Sequence, residues 1–211
     1  MKLFQSIGPN PRVAMMFIAE KGVTIERAFV DIQKSENRQA AYLAKNPAGG
    51  TPCLETDEGL IIAESVAICE YLEERFPSPP LVGLTPEDRA MTRMAVRSID
   101  QSIIVPMSNG FRSAEGLPMF KSRMLCVPEA AAGNKAYARD GMAKVDAGLA
   151  GKDWVCGNRF TLADILLFAF TEFGKTVGQP FADELTNLKA WSARVGARPS
   201  AAASANPKDG L

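Results

Sequence analysis

Pro77-Ser78-Pro79-Pro80 divides this chain into two stretches of different character. Proline removes a backbone donor and fixes φ, so neither a helix interior nor a central strand runs through such a segment. Before the break, short β-branched and apolar runs alternate with helical ones. After about Thr85 every segment reads as helix. The break therefore predicts an α/β N-terminal domain over residues 1–77, a linker over 78–84 and an all-α C-terminal domain over 85–211.

In the first stretch, residues 2–6 read as a strand. The loop Ile7-Gly8-Pro9 leads to a helix from about Pro11 to Lys21, with Asn10 as N-cap, Pro11 at the first helical position and Gly22 as the stop. Thr24 to Ile32 reads as a second strand, reached by a right-handed crossover. Ser35 to Lys45 has weaker helical character. Cys53-Leu54-Glu55-Thr56 and Leu60-Ile61-Ile62-Ala63 flank Asp57-Glu58-Gly59, which reads as a β-hairpin. Ser65 to Arg75 follows as a helix carrying Val66, Cys69 and Leu72 on one side.

In the second stretch, Pro86 with Glu87-Asp88 suits a first helical turn. That helix is predicted to run to Ile104, with Pro106 ending or kinking it. Ala136 to Leu149 reads as another helix. Phe160-Thr161-Leu162-Ala163-Asp164 is a strong helix start, with Thr161 as N-cap and Asp164 in the position of a capping-box acid. The apolar run Ile165 to Phe170 marks that helix as central and buried.

Composition narrows the function. The chain has 24 acidic and 24 basic residues and no basic run, which argues against nucleic acid and anionic membrane surfaces as partners. No apolar stretch approaches the roughly 20 residues that span a bilayer. Met1-Lys2-Leu3-Phe4-Gln5-Ser6 lacks the apolar core of a secretion signal, so a cytoplasmic location is expected. The chain has no histidine, which excludes a His general base, a Ser-His-Asp triad and any His-ligated metal, and no metal is expected. Cys53, Cys69, Cys126 and Cys156 form no C-x-x-C pair and read as packing residues.

The segment Asn46-Pro47-Ala48-Gly49-Gly50-Thr51-Pro52-Cys53-Leu54, followed by Glu64-Ser65, is suited to gripping a small peptide. The Thr51 backbone offers pairing groups to an extended ligand. Ser65 and the helix N-terminus behind it offer donors to a carboxylate. These motifs, with Thr161 to Asp164 and Arg198-Pro199-Ser200 further on, resemble the cytosolic glutathione transferase superfamily over nearly the whole chain. The resemblance implies a thioredoxin-like N-terminal domain, a helical C-terminal domain and a homodimer. It implies glutathione as co-substrate and a cis bond before Pro52.

It further implies that Glu64 accepts the γ-glutamyl ammonium, Ser65 holds its carboxylate and Thr51 pairs with the cysteinyl part. Arg38, Gln39 and Lys45 are the polar groups available to the glycine carboxylate. Arg97, Asp100, Met107 and Phe111 would line an acceptor site, or Asp100 would instead reach the ammonium across a dimer interface. Family members place Tyr, Ser, Thr or Cys after the first strand to contact the thiol, but here Gly8 stands where theta-like classes carry Ser or Thr. Asn10 resembles the Nu-class-like bacterial proteins, whose asparagine amide faces the sulfur. Asn10 is therefore the first candidate for the thiol contact, with its role as N-cap the competing reading, and Ser6 is the second. The implied activity is a detoxification-type transfer of glutathione to a small electrophile. The alternatives are glutathione-dependent disulfide reduction and a non-catalytic ligand-binding role. A zeta-type isomerase is disfavoured because its Ser-Ser-x-Ser-like loop is absent.

Overall fold

The computed structural model of the chain describes residues 1–209. These fall into two compact units, Met1–Val82 joined by the chain from Gly196 onward, and Gly83–Val195. The first unit is built on a four-stranded sheet of order β2-β1-β3-β4. Its strands are β1 (Lys2–Gln5), β2 (Glu26–Phe29), β3 (Cys53–Glu55) and β4 (Ile61–Ala63). β1 pairs parallel with β2 and antiparallel with β3, and β3 pairs antiparallel with β4. Alternation along β1 buries Leu3 and Gln5, while Lys2 and Phe4 are half-buried.

Helices α1 (Pro9–Lys21) and α3 (Ser65–Arg75) pack together, with Val13, Phe17, Ile68, Cys69 and Leu72 all buried. Val30, Tyr42 and Cys53 form a further cluster with Phe4 and Ile61. Tyr42 comes from α2 (Ala40–Leu43), which follows a 3-10 turn at Glu36–Arg38.

The start of α1, the extent of β2 and the proline-rich segment each depart from the sequence reading. α1 opens at Pro9, because Gly8 takes φ 119 and serves as N-cap. Asn10 therefore lies inside the first turn. β2 is shorter than the apolar run that suggested it. Val30 N still bonds Gln5 O at 2.8 Å, but then the Asp31 carboxylate accepts from Gln33 N and Lys34 N at 3.0 and 3.1 Å and turns the chain away. The proline-rich segment is held by side chains of the first unit. Lys21 donates to Glu73 and, at 2.6 Å, to Pro79 O. Glu73 in turn accepts from Leu81 N at 3.2 Å and Val82 N at 2.9 Å. Composition marked this stretch as a break in secondary structure, and side chains from α1 and α3 fix it in place.

The C-terminal segment was expected in the helical domain, yet it belongs to the first unit. Its short helix α10 (Pro199–Ala203) packs on α1. Arg198 Nε and Nη2 grip the Glu20 carboxylate at 2.6 and 2.7 Å, and the Ser200 hydroxyl joins them. Gln5 Nε2 donates to Pro207 O at 2.6 Å.

The second unit begins with α4 (Pro86–Ile99), capped by Thr85 Oγ1 accepting from Asp88 N at 3.1 Å. The helix continues as a π-helical turn over Asp100–Ile104 and then as α5 (Val105–Arg112). Pro106 neither ends the path nor breaks it sharply. Its missing N–H and its ring are accommodated by the wider turn just before it. Gly141 approaches Ser102 O so closely that a Cβ there would collide with it, which seats α7 (Ala131–Gly148) against the π turn. The short α6 (Leu117–Phe120) precedes α7, and α8 (Leu162–Thr176) and α9 (Thr186–Gly196) follow it. No helix among the described residues is long and apolar enough to cross a membrane.

α8 is buried over residues 162–171, and the capping box at Thr161 and Asp164 is formed. Asp164 does more than cap. Its carboxylate accepts from Thr161 N at 2.9 Å, Val155 N at 2.8 Å and Trp191 Nε1 at 2.8 Å. Burial pushes its pKa up against the pull of these donors. Asp164→Ala leaves two buried N–H groups and a part-buried one without their acceptor, so chemical denaturation should show a loss of about 2–4 kcal/mol.

Burial alone would raise the pKa of Glu20, but the hydrogen bonds from Arg198 and Ser200 and the Arg198 charge hold it below its ordinary value. The stability it supplies is present above its unfolded pKa and is lost as pH falls through the folded one. Glu20→Gln should therefore lower stability at neutral pH and flatten its acid limb, read from melting temperatures across the acid range.

Candidate active site

The motif loop from Asn46 to Pro52 is held from within and from the preceding segment. Asn46 Oδ1 accepts from Ala48 N at 3.2 Å and its Nδ2 donates to Gly50 O at 2.9 Å. Tyr42 donates its hydroxyl to Gly50 O at 2.6 Å, and Asn37 Nδ2 donates to Gly49 O at 2.6 Å. Gly49 turns with φ 64. The bond between Thr51 and Pro52 is cis, as the resemblance implied. The Thr51 backbone makes no hydrogen bond among the described residues, so its N–H and C=O remain open to a ligand.

Asn37 and Tyr42 were not singled out from sequence. Their signal was weak, an amide and a phenol in a segment of faint helical character. Only the fold reveals that both point at the loop.

Glu64 and Ser65 lie at the head of α3. Glu64 is the N-cap residue, exposed, with φ 69, a left-handed backbone that a non-glycine residue adopts at a cost of about 1–3 kcal/mol. Ser65 is the first helical residue and is only 4% exposed. No side chain caps the helix. The N–H groups of its first turn have no intrahelical partner, and they carry the positive end of the helix dipole.

Ser65 does not cap its own helix. Its hydroxyl donates to Asn10 Oδ1 at 3.0 Å, across 55 residues of sequence. Asn10 does not cap either, since Gly8 occupies that position. The two residues meet because the N-terminal turns of α1 and α3 come together.

The remaining candidates are placed as follows. Ser6 is fully buried, and its hydroxyl donates to Val30 O at 2.6 Å. Its one proton is thus committed to the backbone of the neighbouring segment. Exposed Arg38 reaches Ala48 O at 3.4 Å and so borders the motif loop. Gln39 is exposed at the start of α2. Lys45 pairs with Glu55 at 2.8 Å and lies 5.0 Å over the Phe4 ring. Asp100 lies in the second unit, opens the π turn and accepts from Arg97 at 2.8 Å. There Met107 is fully buried in the core, and Phe111 stacks edge-on with Phe120 and Phe173.

Burial raises the thiol pKa of Cys53 and raises that of Cys69 further, so both stay protonated packing groups at neutral pH. Among the described residues no group of His, Cys, Asp and Glu is arranged to hold a metal ion.

A methyl group at Gly49 would stand 2.8 Å from Arg38 Nη1 and 3.0 Å from Asn37 O, on a left-handed backbone. Gly49→Ala should therefore cost about 1–2 kcal/mol or more in denaturation, and it should loosen the motif loop, seen as faster amide hydrogen exchange at Gly50 and Thr51.

The chain is similar to known proteins over most of its length. The family model for the glutathione S-transferase N-terminal domain matches residues 1–74, and that for the C-terminal domain matches residues 130–199. The chain is 31% identical over 195 residues to glutathione S-transferase 2 of Saccharomyces cerevisiae, covering 92% of this chain and 84% of that protein. It is 33% identical over 163 residues to maleylacetoacetate isomerase of Pseudomonas aeruginosa, 74% of each chain. A solved structure of a glutathione S-transferase domain-containing protein from Marinobacter aquaeolei superposes with a TM-score of 0.89 at 34% identity. That match covers 95% of this chain and 99% of that one.

Proposed function

The chain belongs to the glutathione S-transferase family, and on that premise we propose that it binds glutathione, stabilises its thiolate and directs it at a small electrophile. The observation that carries this reading is the place of Asn10. It is free of any capping duty and is drawn to Ser65 at the uncapped head of α3. The γ-glutamyl carboxylate is read onto the first turn of α3, with the Glu64 carboxylate accepting from the neighbouring ammonium. The open Thr51 backbone pairs with the cysteinyl residue, as one more short strand beside the motif loop. Arg38, Gln39 and Lys45 are the groups proposed for the glycine carboxylate.

The chemistry needs no base. A free thiol with a pKa of about 8.5 is only a few per cent ionised at neutral pH. Each unit by which the site lowers that pKa is worth about 1.4 kcal/mol and multiplies the thiolate nearly tenfold while the fraction is small. The Asn10 amide N–H is a neutral donor and supplies a modest part of this. The helix termini supply a further favourable field.

Disulfide reduction is the second reading. It is supported by the resemblance of Asn10 to the Nu-class-like proteins, and burial of Cys53 and Cys69 leaves a second glutathione, not these protein thiols, to complete the exchange. Two glutathione molecules can then carry the redox change, and release of oxidised glutathione, followed with a coupled reductase, separates the two reactions.

Adding glutathione at neutral pH should produce a saturable thiolate band in the ultraviolet difference spectrum. Asn10→Asp keeps an acceptor for the Ser65 hydroxyl but replaces the amide donor with a negative charge. It should cut the band and kcat/KM by about tenfold or more. A variant with wild-type turnover would remove Asn10 from the mechanism.

A further inference from the structure

We infer that Tyr42 is a positioning residue for glutathione: its hydroxyl fixes the Gly50–Thr51 peptide so that the Thr51 N–H faces the cysteinyl carbonyl of the ligand. This rests on the glutathione-binding reading above and deepens it. The direction of the hydrogen bond is unambiguous. A carbonyl oxygen has no proton to give, so the phenol is the donor to Gly50 O at 2.6 Å. Burial raises the Tyr42 pKa, so the proton stays on the phenol at neutral pH. With that proton committed, the contact between the Tyr42 oxygen and Cys53 Sγ, at 3.5 Å, has the thiol as donor. Cys53, Tyr42 and Gly50 thus form a short directed chain that ends on the peptide before Thr51.

A trans peptide carries its C=O and N–H on opposite edges. The Gly50–Thr51 bond is trans, since the cis bonds among the described residues are those before Pro52 and Pro79. With Gly50 O turned to Tyr42, the Thr51 N–H points the other way, where no group of the described residues takes it. Gly49 and Gly50 have no side chains to set this angle by packing, so hydrogen bonds set it. Asn46 Nδ2 also donates to Gly50 O, at 2.9 Å, but Asn46 belongs to the same loop and tilts with it. Tyr42 is held from outside the loop. Its ring packs with Val30, Cys53, Phe4 and Ile61 and meets the Phe4 ring edge-on. Phe4 lies on β1 and Ile61 on β4, so the hydroxyl ties the angle of the peptide to the sheet. Thr51 is β-branched and precedes a proline, which resists a full flip of the peptide. Loss of the hydroxyl therefore tilts the N–H and weakens its bond to the ligand without abolishing the site.

The test pairs a change in the protein with a change in the ligand. Tyr42→Phe keeps the ring and removes the hydroxyl. Calorimetry should show it binding S-methylglutathione about three- to tenfold more weakly than the wild type does. The second ligand is S-methylglutathione with its cysteinyl carbonyl replaced by a thiocarbonyl, a weaker acceptor. With that ligand the loss from Tyr42→Phe should fall to about twofold or less, because the bond that Tyr42 aims is already weakened. In the wild type, the Thr51 amide proton should shift downfield on binding S-methylglutathione, and less with the thiocarbonyl ligand. An equal loss with both ligands would mean that Tyr42 only stabilises the loop, and would overturn the inference. Unchanged affinity for S-methylglutathione in Tyr42→Phe would overturn it too, as would a Thr51 amide that ignores the ligand. The functional reading would stand in each of these cases. A wild type that binds neither S-methylglutathione nor glutathione would overturn the functional reading itself, and the inference with it.

Discussion

The site depends on the pairing of α1 with α3, which is pinned by polar contacts at both ends. At the far end from the motif loop, Lys21 and Glu73 form an ion pair whose side chains are 0% and 4% exposed. At the near end, Asn10 meets Ser65. Apolar side chains fill the space between, including Phe17, Ile68 and Leu72. Burying two charges gains little net stability over an apolar pair. Removing one partner, however, strands the other charge and costs about 3–5 kcal/mol. Such a pair is better understood as fixing register. A slide of α1 along α3 would unpair Lys21 and Glu73 and would separate Asn10 from Ser65.

The same ion pair reaches beyond the two helices. Glu73 takes the backbone N–H groups of Leu81 and Val82, and Lys21 takes Pro79 O. The stretch that leaves the first unit is thus tied to the helices that carry the site. Arg198 and Ser200 tie the returning C-terminal segment to Glu20, one residue before Lys21. The end of α1 anchors both the segment that leaves this unit and the one that returns to it.

Much of the architecture was legible in the sequence, because it rests on local rules. The hairpin around Asp57-Glu58-Gly59, the bounds of α3 and the capping box at Thr161 follow from turn chemistry and capping. The cis bond before Pro52 came from family resemblance alone. What was not legible depends on partners distant in sequence. Both Gly8 and Asn10 can cap a helix, and only the fold decides that Gly8 does. Ser6 has a hydroxyl at a strand end in the expected place, but its partner is Val30, on the neighbouring chain segment. The C-terminal segment was assigned to the helical domain by adjacency, and the Glu20 carboxylate, 178 residues from Arg198, places it elsewhere. The meeting of Asn10 and Ser65 had no sequence signal, since both residues were already accounted for by capping.

The central claim is that the Asn10 amide nitrogen faces the thiol of bound glutathione. The most direct measurement is the nitrogen–proton NMR correlation of the Asn10 side chain, assigned by Asn10→Gln and followed across the pH range with glutathione and then with S-methylglutathione bound. The account predicts that one Nδ2 proton shifts downfield as the thiol of glutathione ionises, and that it stays constant with the methylated ligand. A pair of Nδ2 resonances that ignores ionisation of the thiol, or that moves alike with both ligands, would contradict it.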